Sequence, residues 1–193
     1  MSGVSIGLPG DIYTNNQGVK ERLRVDPGQT GFFTGKTFRS YLELGIPVAG
    51  PPVAFRFTSP INFILWHQDL DLTQGALRLE IFTGAVTPAG TWSSWPAGVI
   101  GVNRMTEIPQ PPYVSQITLE TGGTFSGGTA VDLMLLRCSA NQGNQSSSNV
   151  GGETSERGLG AGVYYGRFST LTGGIAVADA AQGIYSLIWE ERP

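Results

Sequence analysis

The chain has 193 residues, of which 40% are hydrophobic and 14% charged, with 28 Gly, 12 Pro and a net charge of −3. That hydrophobic content at low net charge excludes a wholly disordered chain and suffices for one domain with a full core. Mild acidity with scattered cations argues against nucleic acid as a partner, no apolar run reaches the length of a membrane helix, and the single Cys138 excludes an internal disulfide.

In chain order, MSGVSIGLPGD lacks the basic start and apolar core of a secretion signal, so use without export is expected. Residues 1–20 are Gly- and Asn-rich without a period and read as an N-terminal arm. The domain then runs over 21–193, beginning with the strand ERLRV (21–25) and an Asp26-Pro27-Gly28 turn.

GQTGFFTGKTFR (28–39) contains the GKT of a phosphate-binding loop. That loop needs a glycine five residues before Gly35, so that its backbone N–H groups curl round the phosphates. Thr30 stands there. The following residues alternate, with Phe38, Ser40, Leu42 and Leu44 against Arg39, Tyr41 and Glu43. A strand period in place of a helix removes the anion-binding terminus the motif requires.

VAFRFTS (53–59) alternates cleanly. INFILWHQDLD (61–71) is apolar on both faces at first, which predicts a strand buried in the middle of the sandwich. ALRLEIF (76–82) places Leu77, Leu79 and Ile81 inward. Weak strands or loops occupy 91–103, and a short helix is compatible with 92–108. VSQITLET (114–121) ends at a Gly-Gly turn. VDLMLLRC (131–138) is again apolar on both faces, and Cys138 at its end reads as a buried, inert thiol. GVYYGRFS (162–168), IAVA (175–178) and IYSLIWEE (184–191) complete about nine or ten strands, the pattern of a single antiparallel β-sandwich, jelly-roll-like.

Residues 139–161 form a Ser/Asn/Gly-rich stretch that cannot build a core and reads as a long loop. Gln142, Asn144, Asn149, Glu156 and Arg157 within it are candidate partner contacts, Glu156 and Arg157 as its polar anchors. TWSSW (91–95) is expected to be exposed, because serines and a proline surround Trp92 and Trp95. The pair would suit sugar stacking, although tryptophan is as often a core residue.

Chemistry is sparse. His67 is the lone histidine, no G-x-S-x-G surrounds a serine, and one His with one Cys cannot furnish a four-ligand zinc site. Asp69 and Asp71 share one strand face but read as a solvated strand end. No enzymatic activity, metal or cofactor is expected.

Taken in order, RLRVDPGQTGFFTGKTFRSYLEL, FRFTSPINFIL, GALRLEIFTG, NRMTEIPQPPY, ITLETGGTFSGGT and ERGLGAGVYYGRFS resemble the small virion structural proteins of tailed bacteriophages. The resemblance rests on Gly28–Phe33, Phe38–Arg39, Asn103–Glu107 and Glu156–Tyr165, and covers most of residues 21–170. It implies a β-sandwich that works by assembly: a capsid decoration or cement protein, or else a tail or head–tail junction component or fibre adaptor. It further implies other virion proteins as partners, a dimer or trimer, and assembly in the host cytoplasm. A carbohydrate-binding module of a receptor-binding appendage is a reading of a different class, resting on Trp92 and Trp95.

Overall fold

The computed structural model describes residues 34–47, 50–103, 113–137, 146–149, 157–171 and 180–193. The proposed arm, the strands at 21–25 and 175–178, and most of NRMTEIPQPPY lie outside them. Among the described residues there are twelve strands and no helix. They are β1 (Thr37–Ile46), β2 (Val53–Ser59), β3 (Asn62–Gln74), β4 (Ala76–Ala89), β5 (Ser93–Ser94) and β6 (Ile100–Gly101), followed by β7 (Thr118–Thr121), β8 (Thr124–Arg137), β9 (Ser146–Asn149), β10 (Arg157–Leu159), β11 (Gly162–Thr170) and β12 (Ala181–Arg192).

They form two antiparallel sheets, as an all-β sandwich requires. The first has the order β10-β3-β12-β1-β6, with β9 also paired to β3; the second has the order β5-β7-β2-β11-β4-β8. The inner faces meet through aromatic rings. Phe57 of β2 stacks on Phe63 of β3 at 4.8 Å and meets Trp189 of β12 edge-on at 5.7 Å. Phe55 and Phe168 both contact Tyr185, at 5.3 and 5.0 Å. Trp189, Phe168 and Tyr185 are essentially fully buried.

The alternation expected for β1 is present: Phe38, Ser40, Leu42, Leu44 and Ile46 are buried, and Arg39, Tyr41 and Glu43 are exposed. The apolar doubling at the start of β3 has another cause than burial on both sides. A bulge interrupts its pairing with β12, where Leu65 lies opposite Trp189 and His67 opposite Ile188, leaving Trp66 as the extra residue. One extra residue shifts the phase of a strand. Phe63 and Leu65 therefore face inward before it, and Gln68, Leu70 and Leu72 after it.

Chain continuity from β3 in the first sheet to β4 in the second rests on one residue, Gly75, with φ +79°. β4 and β8 continue well past the expected strand ends, through an irregularity that sets Thr83 opposite Thr129 and Val86 opposite Gly127.

The stretch 139–161 is not a loop throughout. SSSN pairs with β3 from Asp69 to Leu72 as β9, and RGL pairs with Phe63 to Leu65 as β10. Backbone hydrogen bonding does not depend on apolar side chains, so a free strand edge recruits a polar segment that could not form a core.

Candidate functional site

The residues singled out from the sequence do not converge. Trp95 corrects the expectation of an exposed TWSSW: it is 2% exposed and belongs to the core. Its ring meets Phe55 and Tyr185 edge-on, and its indole N–H donates to the Glu120 carbonyl at 3.3 Å. A Ser/Pro neighbourhood marks a turn, but directly after the short strand β5 the Trp95 backbone N–H donates to the Leu119 carbonyl at 3.0 Å and its side chain turns inward. Trp92 is half-buried on the outer face of the second sheet. The Arg56 guanidinium lies 5.0 Å from its ring centre, and Tyr165 meets it edge-on at 6.0 Å. Arg56 is in turn held by the Glu120 carboxylate through two N–H donors. That bond keeps Glu120 below the usual carboxylate range and raises Arg56. The tryptophan pair thus offers no shared flat platform.

His67 is exposed. Asp69 and Asp71 do share the outer face of β3, where Asn149 of β9 lies opposite Asp69. Gln142, Asn144 and Glu156 lie outside the described residues.

Arg157 has a defined role. Its guanidinium donates to Asp132 at 2.6 Å, joining β10 at the edge of the first sheet to β8 at the edge of the second. Beneath this bridge the inner faces leave a cavity of about 160 Å³. Phe55, Phe57, Leu65, Ile81 and Leu187 supply apolar walls, and Gln68 reaches in from β3. Gln68 is 6% exposed, and its Nε2 has no hydrogen-bond partner among the described residues. Tyr185 borders the same space, and burial together with the Asp132 carboxylate pushes its phenol far up. Gln68 and Asp132 escaped the sequence reading. The signal for Gln68 was there, since it is in phase with Leu70 and Leu72.

On the other face of β8 the side chains are uncovered. Val131, Leu133 and Leu135 are 53%, 54% and 55% exposed. Leu133 lies opposite Glu80 and Leu135 opposite Arg78 on β4. Glu80 accepts from Arg78 at 2.7 Å and from Arg167 at 2.9 Å, which tethers the charges flanking the apolar row. β8 ends its sheet, and among the described residues no strand pairs with its far side. VDLMLLR was expected to be buried on both faces. Only Met134 and Leu136 are buried, because in a two-layer sandwich the opposite sheet covers the inner face alone.

A second buried carboxylate is structural. Glu191 accepts from the Tyr113 hydroxyl at 2.8 Å, from the Gln116 backbone N–H at 3.0 Å and from the Ser115 hydroxyl. It pins residues 113–117 to the end of β12. Burial, reinforced by the bond to Glu191, pushes the Tyr113 phenol up to about 12.

No protein-family model, curated protein or solved structure matches this chain.

Proposed function

We propose that this chain is a non-enzymatic structural protein of a tailed-bacteriophage virion, a capsid decoration or cement protein that binds the head lattice through many weak contacts. The observation that carries the assembly half of this reading is the uncovered edge of β8. Soluble domains blunt their sheet edges with charge, proline or a covering segment. Here a long edge strand presents Val131, Leu133 and Leu135 in succession, a contiguous apolar row of the kind that marks an interaction surface. An approaching strand would complete the ladder through its backbone and cover the leucines with its side chains. On a lattice each such contact gains effective affinity from its neighbours, so none has to be strong alone. The phage assignment rests on the resemblance of the chain's segments to small virion proteins.

Gold-labelled antibody against the purified protein, applied to particles from the source lysate, tests the reading. Label spread over the heads is the expected result, and the Leu133→Lys/Leu135→Lys protein should fail to add to heads lacking the wild type. Label confined to tail or neck would transfer the protein to the junction-component reading. Bare particles under controlled labelling would overturn the virion assignment.

A further inference from the structure

Gaps between the sheets of a sandwich are expected to be lined by apolar groups, because a buried polar group without a partner costs about 1–3 kcal/mol. The cavity beneath the Arg157–Asp132 bridge departs from this at Gln68. Gln68 is more than nine-tenths buried, lines the cavity, and among the described residues its Nε2 donor has no partner. The charged groups at the rim, Arg157 and Asp132, already bind each other.

The space has a definite size and character. At about 160 Å³ it matches cavities that take up a benzene-sized molecule. Its walls carry the aromatic and aliphatic surfaces of Phe55, Phe57, Leu65, Ile81 and Leu187. The ion pair at the rim is neutral as a unit, so it favours neither an anion nor a cation. We infer that this cavity is a binding site for a small uncharged molecule with an apolar body and one acceptor oxygen, which takes the hydrogen bond that Gln68 Nε2 has to offer. The inference is independent of the assembly role, because it rests on the inner faces of the sheets and not on the outer face of β8.

Acetophenone and ethylbenzene make a matched pair of probes, alike in shape and differing in the acceptor oxygen. Both are titrated calorimetrically into the full chain and into its Gln68→Leu variant. Acetophenone should bind the wild type saturably with one site per chain. Gln68→Leu should shift the acetophenone-to-ethylbenzene affinity ratio against acetophenone by at least about fivefold, the worth of one net hydrogen bond. Ile81→Trp, which fills the cavity, should abolish binding of both. Gln68→Met and Leu159→Phe serve the same two purposes if either first-choice variant fails to give a cooperative melt. The inference is overturned if the wild type binds neither probe saturably, if the ratio is unchanged by losing the amide, or if binding survives a folded, cavity-filled variant.

Discussion

Replacing Gly75 by alanine tests whether the crossing between the two sheets is as constrained as its geometry indicates. The residue sits at φ +79°, in the left-handed region, between the last residue of β3 and the first of β4. A Cβ there would lie 2.9 Å from the Ala180 carbonyl oxygen, 2.9 Å from Ala181 Cα and 3.1 Å from Ala181 Cβ. Two of these are backbone atoms, and Ala181 is 1% exposed and paired with Ile46, so the obstacle cannot swing aside as a flexible side chain would. The left-handed conformation alone costs a non-glycine residue about 1–2 kcal/mol. Alanine recovers about 0.4–1 kcal/mol by restricting the unfolded chain. The steric term adds to that balance, and the net destabilisation should be about 1–3 kcal/mol. In a chain of this size each kcal/mol lowers Tm by about 2–4 °C. Urea unfolding followed by tryptophan fluorescence measures the difference, and Gly45→Ala is the control. Gly45 has no positive φ and no atom within 4 Å of its would-be Cβ, so its variant should stay within about 0.5 kcal/mol of wild type. A Gly75→Ala protein as stable as the control would refute the argument.

Two further outcomes are expected. At Gly123 a Cβ would fall 2.1 Å from Trp92 Cε2, so Gly123→Ala must push the indole off its seat beside Arg56 and Tyr165. The Trp92 Nε1–H cross-peak in an NMR spectrum should shift well beyond the other tryptophan signals, and an unmoved peak would contradict this packing. The raised Tyr113 pKa gives a pH dependence on the alkaline side: its stabilisation is complete below the ordinary phenol value near 10 and is lost as pH rises toward about 12. Urea midpoints across that window should fall less steeply for Tyr113→Phe than for wild type, and equal slopes would show that the Tyr113–Glu191 contact is not coupled to folding.

Much of the sandwich was legible because inward and outward residues alternate. β1 and β2 announced themselves through Phe38-Ser40-Leu42-Leu44 and Phe55-Phe57, and the structure keeps both faces as read. Where apolar residues occupied both parities, one pattern had two different physical origins. In β3 the cause is the Trp66 bulge, which rotates the inward face by one residue. In β8 it is the outer face of a two-layer sandwich, which no second sheet covers, that leaves Leu133 and Leu135 exposed. Period alone cannot separate a bulge, an edge and a central strand, because strand neighbours are fixed by long-range pairing. The same holds for SSSN and RGL, whose pairing comes from the free side of β3 and not from their own composition. Of the candidate site residues, Arg157 proved to bridge the sheets, while the partner it needs, Asp132, lies in a strand that reads as mainly apolar.

The cavity follows from the inner faces of two strands. Inward residues of β3 run Phe63, Leu65, Gln68, Leu70, Leu72, so that one amide interrupts an apolar row. In β8, Asp132 precedes Met134 and Leu136. Both polar groups border the same space, one from each sheet. Beside this space the sheets are joined by rings, Phe57 on Phe63 and Phe168 on Tyr185. Asp132 finds Arg157 at the rim, where solvent limits such a pair to about 0–1 kcal/mol. Among the described residues Gln68 finds no partner, and an unpaired buried donor costs more than that bridge returns. Leucine at position 68 would extend the row formed by Leu70 and Leu72 and remove the penalty. The amide is therefore a liability for folding alone, and it becomes an asset once an acceptor oxygen occupies the space in front of it.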